Sequence, residues 1–423
     1  MPVSPTPPLL FRQPEQILTL AGAPAPRRGK DLGELGIVPR GSVLTGYGKI
    51  LQVGTTTDLD AEARRLKARV IDCRGRVVMP GFVDSHTHLI FAGSRVEDYE
   101  VRLRGKTYEE IAAAGGGIRL SARLLREASI GELEAKAKHS LDQFAAHGTT
   151  TVEVKSGYGL DFANEMKTLQ VVRRLQQHST IELVPTLLAA HVLPPPYAGR
   201  ASAYIDLIVR KLIPGVASRK VAEYIDCFCD RGAFSVAQCR QVLEAGVRHG
   251  LVPRVHAEQL TRTGASRLAV KLGTASADHL DRVTGKDIRA LAASNVVATL
   301  LPGSNFHLGL QRYAPARRLI EAGAIVALAT DFNPGTSPTP NMQMILSIAC
   351  AALHLTPAEA ISAATFNAAH ALRRAHRLGS IEPGKQADLV VMDLDDYREI
   401  PYYFGVNHCV MAVKGGRIIY SVE

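Results

Sequence analysis

Between residues 77 and 330 the chain passes through eight short β-branched runs separated by longer stretches of helical spacing, and few folds accommodate that rhythm. The runs are Val77–His86, Thr149–Lys155, Ile181–Leu188, Tyr224–Cys229, Val252–His256, Ser276–His279, Val296–Leu301 and Ile325–Thr330. Between them lie segments such as Ile130–His147 and Ala163–His178, with apolar residues at helical spacing. Strand and helix in alternation mean βα units and a parallel sheet. Eight such units predict an α/β fold, a distorted TIM (β/α)8 barrel, whose chemistry sits at the C-terminal ends of its strands.

That placement can be checked within the sequence. His86, His88, Tyr158, His191, His256, His279 and Asp331 all fall at or just beyond the predicted C-terminal strand ends. Polar residues recurring at that level around a ring are hard to explain as packing.

The two ends of the chain have another texture. Ile17–Leu20, Ser42–Gly46, Lys49–Val53 and Val70–Asp72 read as short strands between Gly, Pro and Asp turns, and Leu389–Met392, Cys409–Val413 and Arg417–Tyr420 repeat the pattern. Neither end is long enough to build a core alone. Residues 1–76 and 378–423 are therefore expected to form one small composite β-sandwich domain beside a barrel of residues 77–377.

Composition removes several classes of function. No stretch approaches the roughly 20 apolar residues that span a bilayer. The Pro-rich start MPVSPTPPLLFRQPEQ lacks the basic and apolar regions of a secretory signal. The six cysteines are scattered without a C-x-x-C pair, which fits reduced thiols in the cytoplasm. Cys227 and Cys229 are spaced for one strand face and read as core thiols. The net charge of +10 is spread along the chain. Its densest groups, Arg27-Arg28 and Arg373-Arg374, lack interleaved aromatics, so no nucleic-acid face is expected. A small anionic partner is compatible with the charge, and so is an ordinary basic surface.

The sharpest motif is Pro80-Gly81-Phe82-Val83-Asp84-Ser85-His86-Thr87-His88, at the end of the first predicted strand. Residues two apart on a strand project to one side, so both imidazoles can reach one metal ion. Neutral imidazole is a common ligand for zinc and iron. His256 ends the fifth strand, His279 the sixth and Asp331 the eighth. Three imidazoles, a carboxylate and a water make an open catalytic site.

The order H-x-H, His, His, Asp over strands one, five, six and eight resembles the amidohydrolase superfamily. The stretch "LGSIEPGKQADLVVMDL" (Leu378–Leu394) is similar to the closing β domain of that superfamily. Within it, "HTHLIFAGSR" (His86–Arg95), "KSGYGL" (Lys155–Leu160), "AAHVLP" (Ala189–Pro194), "HAEQL" (His256–Leu260), "SADHL" (Ser276–Leu280) and "ATDFNPGTSPT" (Ala329–Thr339) resemble the imidazolonepropionase family. The resemblance implies ring-opening hydrolysis of 4-imidazolone-5-propanoate to N-formimidoyl-L-glutamate, a step of histidine degradation. It implies one Zn2+ or Fe3+ per subunit, held by His86, His88, His256 and Asp331. It also implies a homodimer, and a substrate site lined by Tyr158, His191, Gln259, Asn333, Gly335 and Thr336, with Tyr108 a further candidate.

Physical roles stand beside that carry-over. A divalent ion lowers the pKa of its water towards about 7. Asp331 is placed to take that proton and pass it to the leaving nitrogen. His279 is placed to orient the nucleophile or to stabilise the oxyanion. Arg95, just after the first strand, offers a fork for the propanoate carboxylate. Two-metal relatives use a lysine ending the fourth strand, but here that strand is Tyr224–Cys229 followed by Asp230, with no lysine. A single metal is expected. Gln259 is a further catalytic candidate beside Asp331 and His279, at the position where deaminase relatives place a proton-shuttling Glu, although its amide cannot carry a proton at neutral pH. Glu258 is adjacent, and chain direction alone does not place its side chain.

Overall fold

The computed structural model describes residues 6–422, and the side chains of all but residues 108, 109 and 112 among them. The barrel strands follow in chain order as Phe82–Asp84, Thr149–Lys155, Glu182–Ala190, Tyr224–Cys229, Val255–Ala257, Ser276–His279, Val297–Leu300 and Ile325–Leu328, each paired in parallel with the next. Thr149–Lys155 is buried along its whole length, as a sheet enclosed by helices requires. Helices Ile130–Ala146 and Phe162–His178 lie outside it. A Ser129–Glu132 capping box opens the first and the Asp161 carboxylate caps the second. Leu133, Leu141 and Phe144 form the buried stripe of the first helix.

The first and last strands are not joined by a ladder. Instead the barrel closes just past their ends, where Asp331 N–H donates to His86 O at 3.1 Å and His88 N–H donates to Phe332 O at 2.8 Å. Closure at that level puts the H-x-H pair directly beside Asp331.

Two of the expected strands are divided. In Val77–His86 the break falls at Gly81. Val77–Pro80 pairs antiparallel with Leu389–Met392 and parallel with Gln16–Leu18, outside the barrel, and Phe82 begins the barrel strand. A Cβ on Gly81 would lie 2.3 Å from Thr150, so only glycine lets the chain cross from one sheet to the other at that point. In Val252–His256 the break is Arg254, whose side chain turns into the interior and is fully buried.

Both chain ends contribute to the remaining sheets. One has the order Lys49–Gly54, Ser42–Gly46, Leu9–Arg12, Arg69–Asp72. The other runs Arg417–Ser421, Cys409–Lys414, Leu389–Met392, Val77–Pro80, Gln16–Leu18, Ile37–Pro39. Leu9–Arg12, which the sequence reading passes over behind its prolines, is a central strand with Leu9, Leu10 and Phe11 buried. Among the described residues no helix is long and apolar enough to cross a membrane.

Candidate metal centre and substrate cavity

At the mouth of the barrel the strand ends converge on a cavity of about 460 Å³, with His88, His191, His256, His279 and Asp331 among its lining residues. His86 lies deeper and is fully buried. The Nε2 atoms of His86 and His88 lie 3.6 and 3.5 Å from Asp331 Oδ1. Among the described residues, two overlapping groups have atoms close enough to share an ion, His86–His88–Asp331 and His86–His256–His279.

This donor set fits a cation on the molecule's own terms. His86 Nε2, His88 Nδ1, His256 Nε2 and His279 Nδ1 are buried without a hydrogen-bond partner among the described residues, a costly state unless something else satisfies them. Burial holds His86, His88 and His279 well below the usual histidine range, with neighbouring imidazoles and Lys155 adding to the effect. Burial pushes the Asp331 carboxyl well above its usual range. Neutral imidazoles around a carboxylate that lacks a cation are what a bound metal ion would stabilise.

The backbone marks the same places. Asp331 (φ 54°), His279 (φ 78°) and Glu258 (φ 50°) are non-glycine residues in the left-handed region, a conformation costing about 1–3 kcal/mol that clusters at functional sites. At Asp331 and His279 it falls on two of the three residues read as catalytic.

Glu258, unplaced by sequence, turns away from the cavity. Its carboxylate accepts from Gly264 N–H at 2.7 Å and Ser266 N–H at 2.9 Å and so shapes the loop after the fifth strand. Gln259, next in the chain, lines the cavity. Glu165 does for the KSGYGL loop what Glu258 does for its own, accepting from Gly157 N–H at 3.0 Å and Leu160 N–H at 2.8 Å. That loop places Tyr158 on the cavity wall, and the Gly157 carbonyl lies 3.0 Å from His191 Nδ1. His191 stacks on His88 with ring centroids 5.1 Å apart. Burial, then the nearby His256, lowers its pKa to about 3, so the ring is neutral near pH 7.

Arg95 is 5% exposed, yet among the described residues no carboxylate lies within salt-bridge distance and its Nε has no partner. It donates to Asn333 Oδ1 at 3.2 Å. That oxygen also accepts from Gly335 N–H at 2.9 Å and Thr336 N–H at 2.8 Å, so Asn333 folds its loop and steadies the guanidinium. Gly335 is absent from the main cavity wall. A Cβ there would fall 1.9 Å from Arg95 Cζ, so its missing side chain is the space Arg95 occupies. Thr336 lines the cavity. The side chain of Tyr108 lies outside the described residues.

Sequence reasoning missed the layer under the imidazoles. Asp278 Oδ2 is 2.7 Å from His86 Nδ1, and Asp226 Oδ2 is 3.1 Å from His256 Nδ1. Lys155 Nζ sits 2.8 Å from both Asp226 and Glu153. Burial opposes its charge, but those carboxylates outweigh burial and raise its pKa. The signal was present as Asp278 beside His279, and as Asp226 and Lys155 within strand runs. Charged residues inside otherwise apolar strands are buried and have partners.

A parallel barrel with this site at its mouth defines a metal-dependent hydrolase of the amidohydrolase type. Models described as "Amidohydrolase family" match residues 69–129 and 234–419. The chain is 46% identical over 415 residues to an imidazolonepropionase of Geobacillus kaustophilus, with 97% of this chain and 98% of that protein covered. It is 45% identical over 405 residues to an imidazolonepropionase of Solibacter usitatus, covering 96% and 97%. It belongs to the imidazolonepropionase family. Among solved structures, guanine deaminase of E. coli superposes with a TM-score of 0.74 at 15% identity, covering 98% of this chain and 99% of that one. A zinc-bound adenosine deaminase from Xanthomonas campestris gives 0.70 at 17%, covering 98% and 93%. These two share the fold.

Proposed function

We propose that the chain adds water across the amide C–N bond of 4-imidazolone-5-propanoate and releases N-formimidoyl-L-glutamate, with His86, His88, His256 and Asp331 holding one ion. The observation that carries the substrate assignment is Arg95. A buried guanidinium without a carboxylate partner among the described residues, on the wall of a cavity floored by imidazoles, calls for an anionic ligand. The propanoate group supplies that anion and leaves the ring towards His279 and Asp331.

When bound, the ion acts as a Lewis acid on water and on the ring carbonyl. Zn2+ or Fe3+ suits three imidazoles and a carboxylate. Asp331 takes the proton that the attacking water gives up and returns it to the ring nitrogen as the C–N bond breaks, so no ammonia leaves. His279 orients the water or holds the oxyanion at the ring carbonyl. Gln259 faces the cavity where a proton-carrying glutamate would favour deamination, and it can only donate and accept hydrogen bonds. Tyr158 and His191 also line the cavity, and a neutral His191 can hydrogen-bond the ring without a second cation. We read the enzyme as a cytoplasmic homodimer.

The test is loss of imidazolone absorbance on adding the metal-loaded enzyme, with ammonia measured in the same sample. Loss without ammonia is expected. Intact imidazolone propanoate, or ammonia released from a heterocycle, would overturn the assignment.

A further inference from the structure

A neutral imidazole has one N–H and one lone pair, and only the lone pair binds a metal. Which nitrogen keeps it is set by the partner of the other. The layer beneath the site makes that choice for two of the three proposed ligands. An ionised carboxylate only accepts, so Asp278 at 2.7 Å fixes the hydrogen of His86 on Nδ1. Nε2 is then bare, and it is one of the buried atoms without a partner. Asp226 Oδ2 lies 3.1 Å from His256 Nδ1, an ion-pair contact without the hydrogen-bond alignment of the His86 pair, and among the described residues Nε2 of His256 is again unpartnered. His88 differs, because its Nδ1 has no such partner among the described residues.

The carboxylates are themselves held. Lys155 Nζ lies 2.8 Å from Asp226 and 3.9 Å from Asp278. Arg254 Nη2 donates to Asp278 at 3.3 Å and to Ser85 O at 2.6 Å. Every one of these side chains is fully buried.

We propose that Asp226 and Asp278 are positioning residues that fix the tautomer and angle of His256 and His86, and that Lys155 and Arg254 keep the two carboxylates in register. The proposal rests on the metal reading above. Burying ions is seldom a net gain in stability, so these four buried charged groups need another reason, and two oriented ligands supply one.

Glu153 provides the control. It shares the buried network through Lys155 at 2.8 Å and accepts from Thr87 N–H at 3.1 Å, yet among the described residues it contacts no imidazole by hydrogen bond or ion pair. Asp226→Asn, Asp278→Asn and Glu153→Gln each remove one buried charge at nearly constant shape. A shared structural cost therefore cannot separate them. Chelator competition on the metal-loaded full-length proteins should show the ion held about 10- to 100-fold more weakly in the two aspartate variants, with Glu153→Gln close to wild type. Wild-type affinity in both aspartate variants, or an equal loss in Glu153→Gln, would overturn the proposal.

If those variants do not fold, a neutron structure of the unsubstituted, metal-free protein decides. Deuterium on Nδ1 and a bare Nε2 in His86 and His256 is expected, and deuterium on Nε2 would contradict it. Wild-type protein that binds no ion would overturn the metal reading instead, and the neutron result would still judge the tautomers.

Discussion

At the underside of the barrel Glu182 meets Arg374 at 2.9 Å and Lys414 at 3.0 Å and also pairs with Arg377, while at the mouth Arg95 meets no carboxylate among the described residues. Lys414 further pairs with Asp388 at 2.8 Å, so the underside network ties the third barrel strand to the closing sheet. Burial alone would raise the pKa of Glu182, but Lys414, Arg377 and Arg374 outweigh it and bring it down to about 2. Asp331 at the mouth moves the other way, because burial acts on it without a matching cation. Similar residue types are satisfied within the chain at one end and left to await outside partners at the other. The first arrangement holds the fold together, and the second is available for chemistry.

Substitutions can break that contrast. The largest effect is expected for Asp331→Asn, which should lower kcat/KM by about 10²–10⁴-fold while leaving the thermal midpoint of the metal-free protein unchanged or higher. A large drop in that midpoint would place Asp331 with the structural groups. Glu182→Ala should do the reverse. It removes the carboxylate shared by three partly buried cations, of which Arg374 keeps Glu223 and Lys414 keeps Asp388, and should cost about 1–3 kcal/mol of stability, read from denaturant unfolding, with kcat per folded molecule unchanged.

The substrate end of the mouth comes next. Arg95→Gln should raise KM by about 10- to 100-fold, the equivalent of one hydrogen bond to a charged group, with metal content unaltered. An unchanged KM would remove Arg95 from the substrate. Gly335→Ala should raise KM in the same direction by less, since the added methyl displaces the guanidinium without removing it.

The smallest effect is in pH dependence. The folded-state pKa of His191, about 3, lies below its ordinary 6.5, so the unfolded chain takes up the extra proton between those values. Its contribution to stability therefore falls as pH drops from 6.5 towards 3. Glu182 has its folded pKa near 2 against 4.5, so its contribution is fully present above pH 4.5 and is lost as pH falls from there through 2. In metal-free protein, His191→Gln should flatten the thermal midpoint between pH 6.5 and 3. A curve as steep as wild type would show that His191 is not buried neutral.

The barrel and its mouth were legible because they follow from alternation and position. Thr149–Lys155, Tyr224–Cys229 and Ser276–His279 coincide with strands of the structure, and His86, His88, His256 and Asp331 meet at one place. Two kinds of feature were not legible. The first is a change of sheet within one apolar run, as at Gly81, where nothing in the hydrophobic pattern says which partner each half will find. The second is buried charge. Lys155, Arg254, Asp226 and Asp278 interrupt strands as surface residues would, and only three-dimensional pairing shows that they support the imidazoles. Glu258 belongs here too, because a left-handed residue after a strand turns its side chain in a direction that alternation does not give.

The most direct measurement is metal content against activity, with the purified protein stripped by chelator and titrated with zinc or iron. Rising imidazolone hydrolysis that saturates at one ion per chain is the predicted result. Undiminished hydrolysis in protein carrying no ion would contradict a mouth whose unpartnered imidazoles and Asp331 exist to hold one.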